Sequence, residues 1–143
     1  MVSYYVDSCI YLNLWKKEID ESGSPLWFYA REFFEKAVKN DSIIYYSGFL
    51  LKEIMFATTK EEYLGILELF NSATRFKRAN LTTKEYKEAQ RLKNDSVSNI
   101  SFFDILHVLF ARKNNSILIT RDKEVIEFAK NLDVEAKRPE EIL

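Results

Sequence analysis

Residues 102–120, FFDILHVLFARKNNSILIT, constrain the fold more than any other part of the chain. The first part is apolar on nearly every side of a helix, interrupted only by Asp104 and His107, and such a helix belongs in a core. After a short polar link, SILIT reads as a buried strand. The same alternation runs through the rest of the chain. Strands are predicted at 3–6, 42–46 and 75–79, and a last one at 134–136. Helices are predicted at 8–17, 25–39, 49–58 (capped by Ser47) and 61–73, then from Thr82 or Thr83 onward, and from Asp122 through Leu132. Alternation of this kind predicts an α/β fold, a central and mostly parallel sheet flanked by helices. Three Gly and two Pro are too few turn formers for a sandwich or barrel of many short strands.

No repeat, low-complexity tract or linker divides the 143 residues; 20–24 and 94–99 read as loops, so one domain spanning 1–143 is expected. Cys9 is the only cysteine, which excludes an intramolecular disulfide and a thiolate metal cluster. No basic leader precedes an apolar run, and the hydrophobic stretches are too short to span a membrane, so a soluble, cytoplasmic protein is expected. The net charge of −1 announces no nucleic-acid binder, but residues 75–93 carry seven basic side chains against two acidic ones.

Four acids stand at positions where chemistry is expected. Ligands of parallel sheets bind beyond the carboxyl ends of the strands, and Asp7 and Asp122 follow two of those ends. Each also suits a helix N-cap, and the two readings stay open. Glu53 has Phe49, Leu50, Phe56 and Ala57 at helical spacing, which places a carboxylate on an apolar face. Asp104 lies inside the most apolar helix of the chain. A buried carboxylate needs a partner, either a cation, a hydrogen bond to His107 or a Ser, or a metal. If all four acids converge, they form an all-oxygen set suited to Mg²⁺ or Mn²⁺ rather than zinc. His107, the only histidine, reads more readily as a hydrogen-bonded core residue than as a catalyst.

These residues resemble a known family. YYVDSCIYL, SGFLLKEI with Ser47 six residues before Glu53, and SFFDILHVLFARKNNSILITRDKEV resemble in order, spacing and setting the motifs of PIN domains, above all the toxins of VapBC-type toxin-antitoxin modules. The closing RPEEIL resembles the usual end of that family. The resemblance implies a three-layer PIN-like fold and a metal-dependent endoribonuclease in which Asp7, Glu53, Asp104 and Asp122 hold Mg²⁺ or Mn²⁺. Glu124 is an alternative to Asp122 as the fourth acid. Ser8 and Thr120 would orient carboxylates from behind, or simply cap. Arg121 and Lys123 beside the site, and Arg75, Lys77 and Arg78 with interleaved Phe76 and Tyr86, are candidates to touch RNA, though the basic stretch also suits a solvated helix face. An antitoxin protein and a homodimer are the implied partners, with the aromatics Tyr11, Trp15, Trp27, Phe28 and Tyr29 offering an interface or filling the core. The competing readings are a nuclease of RNA maturation and a PIN-like scaffold that binds RNA or protein without cleavage.

Overall fold

The computed structural model describes residues 2–96 and 99–142. Of the loop expected at 94–99, Val97 and Ser98 lie outside the described residues, as does Leu143 of the closing motif. Five strands form one sheet: β1 (Ser3–Val6), β2 (Ile43–Tyr46), β3 (Phe76–Arg78), β4 (Ile117–Ile119) and β5 (Ala136–Lys137). Their order is β3-β2-β1-β4-β5 and every pairing is parallel; Tyr5 lies opposite Tyr45 on one side and Leu118 on the other.

Parallel neighbours require crossovers, and helices supply them: α1 (Ser8–Trp15), α2 (Leu26–Lys39), α3 (Gly48–Ala57), α4 (Lys60–Ser72), α5 (Thr83–Asp95), α6 (Phe102–Lys113) and α7 (Lys123–Asn131). The strand pleat divides the core between two faces. Tyr4, Val6, Ile44 and Ile119 pack under α1 to α4, whereas Tyr5 and Leu118 pack under α5 to α7. The resulting three layers are those expected from the sequence. The apolar stretch of α6 is buried continuously from Ile105 to Ala111, His107 included.

The scarcity of glycine has a structural counterpart. Four helices end with a left-handed residue that is not glycine: Lys17, Asp41, Asn115 and Asp133, at φ 50°, 54°, 52° and 57°. Each is followed by a 6→1 bond that closes the helix, such as Ser116 N to Ala111 O at 2.9 Å and Val134 N to Ala129 O at 2.9 Å. That bond draws Val134 into the turn after α7, so the last strand begins at Ala136 rather than at 134.

Sheet order positions the site. The chain moves outward from β1 to β2 and β3, then returns to the other side of β1 for β4. The reversal falls between β1 and β4, and the crevice beyond their carboxyl ends is where such sheets bind ligands. Asp7 follows β1 directly, and Thr120 follows β4.

Candidate metal centre

Asp7 is 7% exposed and caps α1: its Oδ1 accepts the Ser8 N–H at 2.7 Å. Its Oδ2 accepts the Thr120 hydroxyl at 2.8 Å, and the same Thr120 oxygen accepts the Asp122 N–H at 3.2 Å. Asp7 N is bonded in turn to Ile119 O at 2.9 Å, which stitches β1 to β4 at the reversal. The Ser8 hydroxyl also approaches Oδ1, at 3.4 Å. Thr120 and Ser8 thus both donate to the Asp7 carboxylate.

Glu53 reaches the same place from α3, with Oε1 2.5 Å from His107 Nε2. Ligand atoms of Asp7, Glu53 and His107 lie within 4.8 Å of one another, the one such group among the described residues. Beyond His107 the polar chain continues into the core: Nδ1 to the Tyr5 hydroxyl at 2.7 Å, and Tyr5 to Ser47 Oγ at 2.7 Å. Ser47 Oγ accepts the Leu50 N–H at 3.1 Å as the cap of α3. Placing Glu53 on an apolar helix face holds for Leu50, which is buried, but Phe56 is 72% exposed. What covers Glu53 is His107.

Asp104 is half-buried at the start of α6 and forms a capping box with Ser101, whose N–H its Oδ2 accepts at 3.4 Å. Burial pushes its carboxyl above the ordinary carboxylate range; the Asp7 charge pushes the same way, against the Ser101 bonds. For His107, burial lowers the pKa, but the Glu53 bond and the charges of Asp7, Glu53 and Asp104 outweigh it and the net direction is upward. Asp104 therefore shares the field of Asp7 and His107, although it is outside the close group. Asp122 is exposed and caps α7, its Oδ1 accepting Glu124 N at 2.9 Å and Val125 N at 3.4 Å; neither it nor Glu124 joins the group.

The expected substrate contacts separate. Arg78 closes β3 at the carboxyl end of the sheet and lies against Gly48, where a Cβ would sit 2.8 Å from its guanidinium. With Lys52, Asn80, Phe49 and Tyr86 it lines a cleft of about 240 Å³. Lys77 is exposed on the same edge strand, and Lys123 lines a second cleft between α5 and α7. Arg75 is at the amino end of β3 instead, donating to Val38 O at 3.2 Å, so it is not brought to the site. Arg121 is turned inward, with Nε on Asn13 Oδ1 at 2.7 Å and a guanidinium nitrogen on Glu140 at 3.0 Å. Phe76 packs edge-on against Phe70 in the core and offers no platform for a base.

His107, expected from the sequence as a hydrogen-bond partner for a buried acid, takes that place with Glu53, whereas Tyr5 was not among the expected residues of this centre. The available signal for His107 was spacing: it lies three residues after Asp104, on the same face of one helix. The relay to Tyr5 crosses 102 residues and leaves no local trace.

Comparison with known proteins agrees with this geometry. A family model described as PIN domain matches residues 4–131. No curated protein matches significantly. Among solved structures, a chain of VapBC2 from Rickettsia felis, crystallised with a DNA fragment from the promoter, is 20% identical with a TM-score of 0.68, covering 96% of this chain and 98% of that one. A chain of VapBC-1 from nontypeable Haemophilus influenzae is 20% identical with a TM-score of 0.61, covering 98% and 99%. A chain of FitAcB from Neisseria gonorrhoeae is 12% identical with a TM-score of 0.62, covering 95% and 97%. With acids gathered at the strand reversal of a five-stranded parallel sheet, and a family match running from β1 through α7, the chain belongs to the PIN-domain family.

Proposed function

We propose that the protein is a metal-dependent endoribonuclease and the toxin of a type II toxin-antitoxin pair. The observation that carries the reading is the meeting of Asp7 and Glu53 at the strand reversal, with Asp104 in the field of Asp7. The residues fit a hard divalent cation. The donors are carboxylate oxygens, and the Asp104 carboxyl, raised first by burial and further by the Asp7 charge, is one whose ionised form a cation would favour. Asp7, Glu53 and Asp104 would hold Mg²⁺ or Mn²⁺, with Asp122 acting directly or through a water. Held there, the ion would supply an activated water for in-line attack and would offset charge on the scissile phosphate. Thr120 and Ser8 fix the orientation of Asp7, so its carboxylate meets the ion pre-aimed.

RNA needs cations beside this acidic centre. Lys52 and Arg78 line the cleft at the carboxyl ends of β2 and β3, and neither takes part in an ion pair among the described residues. Tyr86 and Phe49, packed together with ring centroids 5.7 Å apart, form the apolar wall of the same cleft. An antitoxin and a second copy of the chain are the proposed partners. The expected aromatic interface divides: Tyr11 is core, while Phe28 stays exposed. Phe56 and Met55 on α3, Leu64 on α4 and Ile19 are also exposed apolar side chains, of the kind a protein partner covers. Complexes of VapBC and FitAB are among the similar folds, which supports the pairing.

The test is cleavage of structured RNAs by purified protein with Mg²⁺ or Mn²⁺, beside an EDTA control and Asp104→Asn. Metal-dependent cleavage lost in the variant is expected. Equal cleavage by both proteins would reject the site. Metal binding without cleavage of any RNA would favour the scaffold reading.

A further inference from the structure

The polar chain behind Glu53 has a direction. Ser47 and Tyr5 are fully buried, so each hydroxyl hydrogen must find its acceptor within the chain. Ser47 Oγ already accepts the Leu50 N–H, and its one other side-chain partner among the described residues is Tyr5. Its hydrogen therefore goes to the Tyr5 oxygen. The Tyr5 hydrogen, which burial keeps on the phenol, then goes to His107 Nδ1. With Nδ1 accepting, the imidazole hydrogen is on Nε2 and faces Glu53.

The reverse order fails at its far end. If Nε2 offered a lone pair to a metal, Nδ1 would carry the hydrogen and donate to Tyr5. Tyr5 would donate to Ser47, and the Ser47 hydrogen, closed off from bulk solvent, would have no acceptor among the described residues. A buried unsatisfied hydroxyl is costly, so one orientation of the whole chain is favoured.

We infer that His107 is a positioning residue and not a ligand: Ser47 and Tyr5 hold it as the Nε2–H tautomer, and it fixes Glu53 by occupying Oε1. Oε2 has no hydrogen-bond partner among the described residues and is left to face the cation as a single donor. The three residues whose atoms cluster most closely thus divide into two ligands and one orienting donor. The inference rests on the metal-dependent reading above, but the relay itself can be observed without metal.

The experiment has two arms. Long-range ¹⁵N–¹H NMR of the metal-free protein, recorded over a pH series up to the neutral ring, reads the His107 tautomer, with Nε2 protonated and Nδ1 bare expected for the neutral form. A Tyr5→Phe variant, which keeps the ring stacked on Phe110, should lose that exclusive tautomer. In the second arm, Mn²⁺ binding is followed by electron paramagnetic resonance on wild type, His107→Gln and His107→Leu, each checked for folding by circular dichroism. Wild type should show no directly bonded nitrogen. His107→Gln, which keeps an N–H near Nε2, should bind Mn²⁺ within roughly threefold of wild type, and His107→Leu should lose roughly 10- to 100-fold.

A nitrogen bonded to Mn²⁺ in wild type and lost in His107→Gln overturns the inference while leaving the metal centre standing. So does the Nδ1–H tautomer in the neutral ring, or a Leu variant that binds as tightly as wild type. If wild type binds no Mn²⁺ but shows the Nε2–H tautomer, the metal-dependent reading fails and the positioning role falls with it.

Discussion

Replacing Thr120 by Val tests whether the junction of β1 and β4 is held by one hydroxyl. The side chain is fully buried, and Val fills nearly the same volume. The exchange therefore removes hydrogen bonds with little change in packing. Two are lost: the donation to Asp7 Oδ2 at 2.8 Å and the acceptance from Asp122 N at 3.2 Å. A hydrogen bond to a charged group is worth about 1.5–3 kcal/mol, and the Cys9 thiol, 3.7 Å from the same oxygen, is a weak substitute. The Asp122 N–H is near the surface and recovers water, so its loss adds little. The expected destabilisation is about 2–3 kcal/mol. Unfolding entropy near 2.1 cal/mol/K per residue gives a chain of this length about 0.3 kcal/mol/K, hence a Tm lower by roughly 7–10 °C.

The assay is thermal unfolding in EDTA of wild type, Thr120→Val, Asp7→Ala and the double variant. Without the Asp7 carboxylate, Thr120→Val should cost about 1 kcal/mol or less, which gives a coupling of about 1–2 kcal/mol between the two residues. Thr120→Ser, which keeps the hydroxyl, should retain that coupling. A Tm drop under about 2 °C, or the same drop in the Asp7→Ala background, would refute the reasoning.

Lys17→Gly should stabilise the protein by about 0.5–1 kcal/mol in urea unfolding, because Lys17 holds φ 50° with an exposed side chain and glycine adopts that conformation without a Cβ clash. The bidentate Arg112–Glu88 pair ties α6 to α5 and, with its hydrogen bonds first among the causes, holds the Glu88 carboxyl below its ordinary value. A lowered pKa contributes stability above the unfolded-state value and loses it as pH falls through the folded one. Wild type should therefore lose its advantage over Glu88→Gln as pH drops below the ordinary glutamate range in a pH series of melts, and a gap that persists in acid would refute this. Asp104→Asn should raise the Tm in EDTA, since it removes a charge that burial and Asp7 both disfavour, and should abolish the Tm gain on adding Mn²⁺. A variant less stable than wild type in EDTA would show that the capping bonds to Ser101 outweigh the repulsion.

What the sequence determined by itself was local. The apolar stretch of α6, the strand at ILI, the Ser47 cap and the alternation of elements are written in residue spacing and in side chains bonding to backbone a few positions away, and each appears where it was expected. Of the candidate site, the positions of Asp7, Glu53, Asp104 and Asp122 after strands or on helices were legible for the same reason. Tertiary structure decided which of them meet. Asp7 and Glu53 converge because β1 is the central strand and α3 follows its neighbour, while Asp122 turns to cap its own helix. Arg75 and Arg78 are three residues apart, yet a strand carries them to opposite ends of the sheet. Arg121, a substrate contact by its place beside Asp122, is instead held by Asn13 and Glu140, both distant in sequence. His107 read as a core residue, and it is one, but only the packing of α6 against β1 and α3 shows that its ring joins Tyr5 to Glu53. Spacing along a chain fixes periodicity and caps. Which buried polar groups satisfy one another is fixed by how the layers stack, and that is where this centre is made.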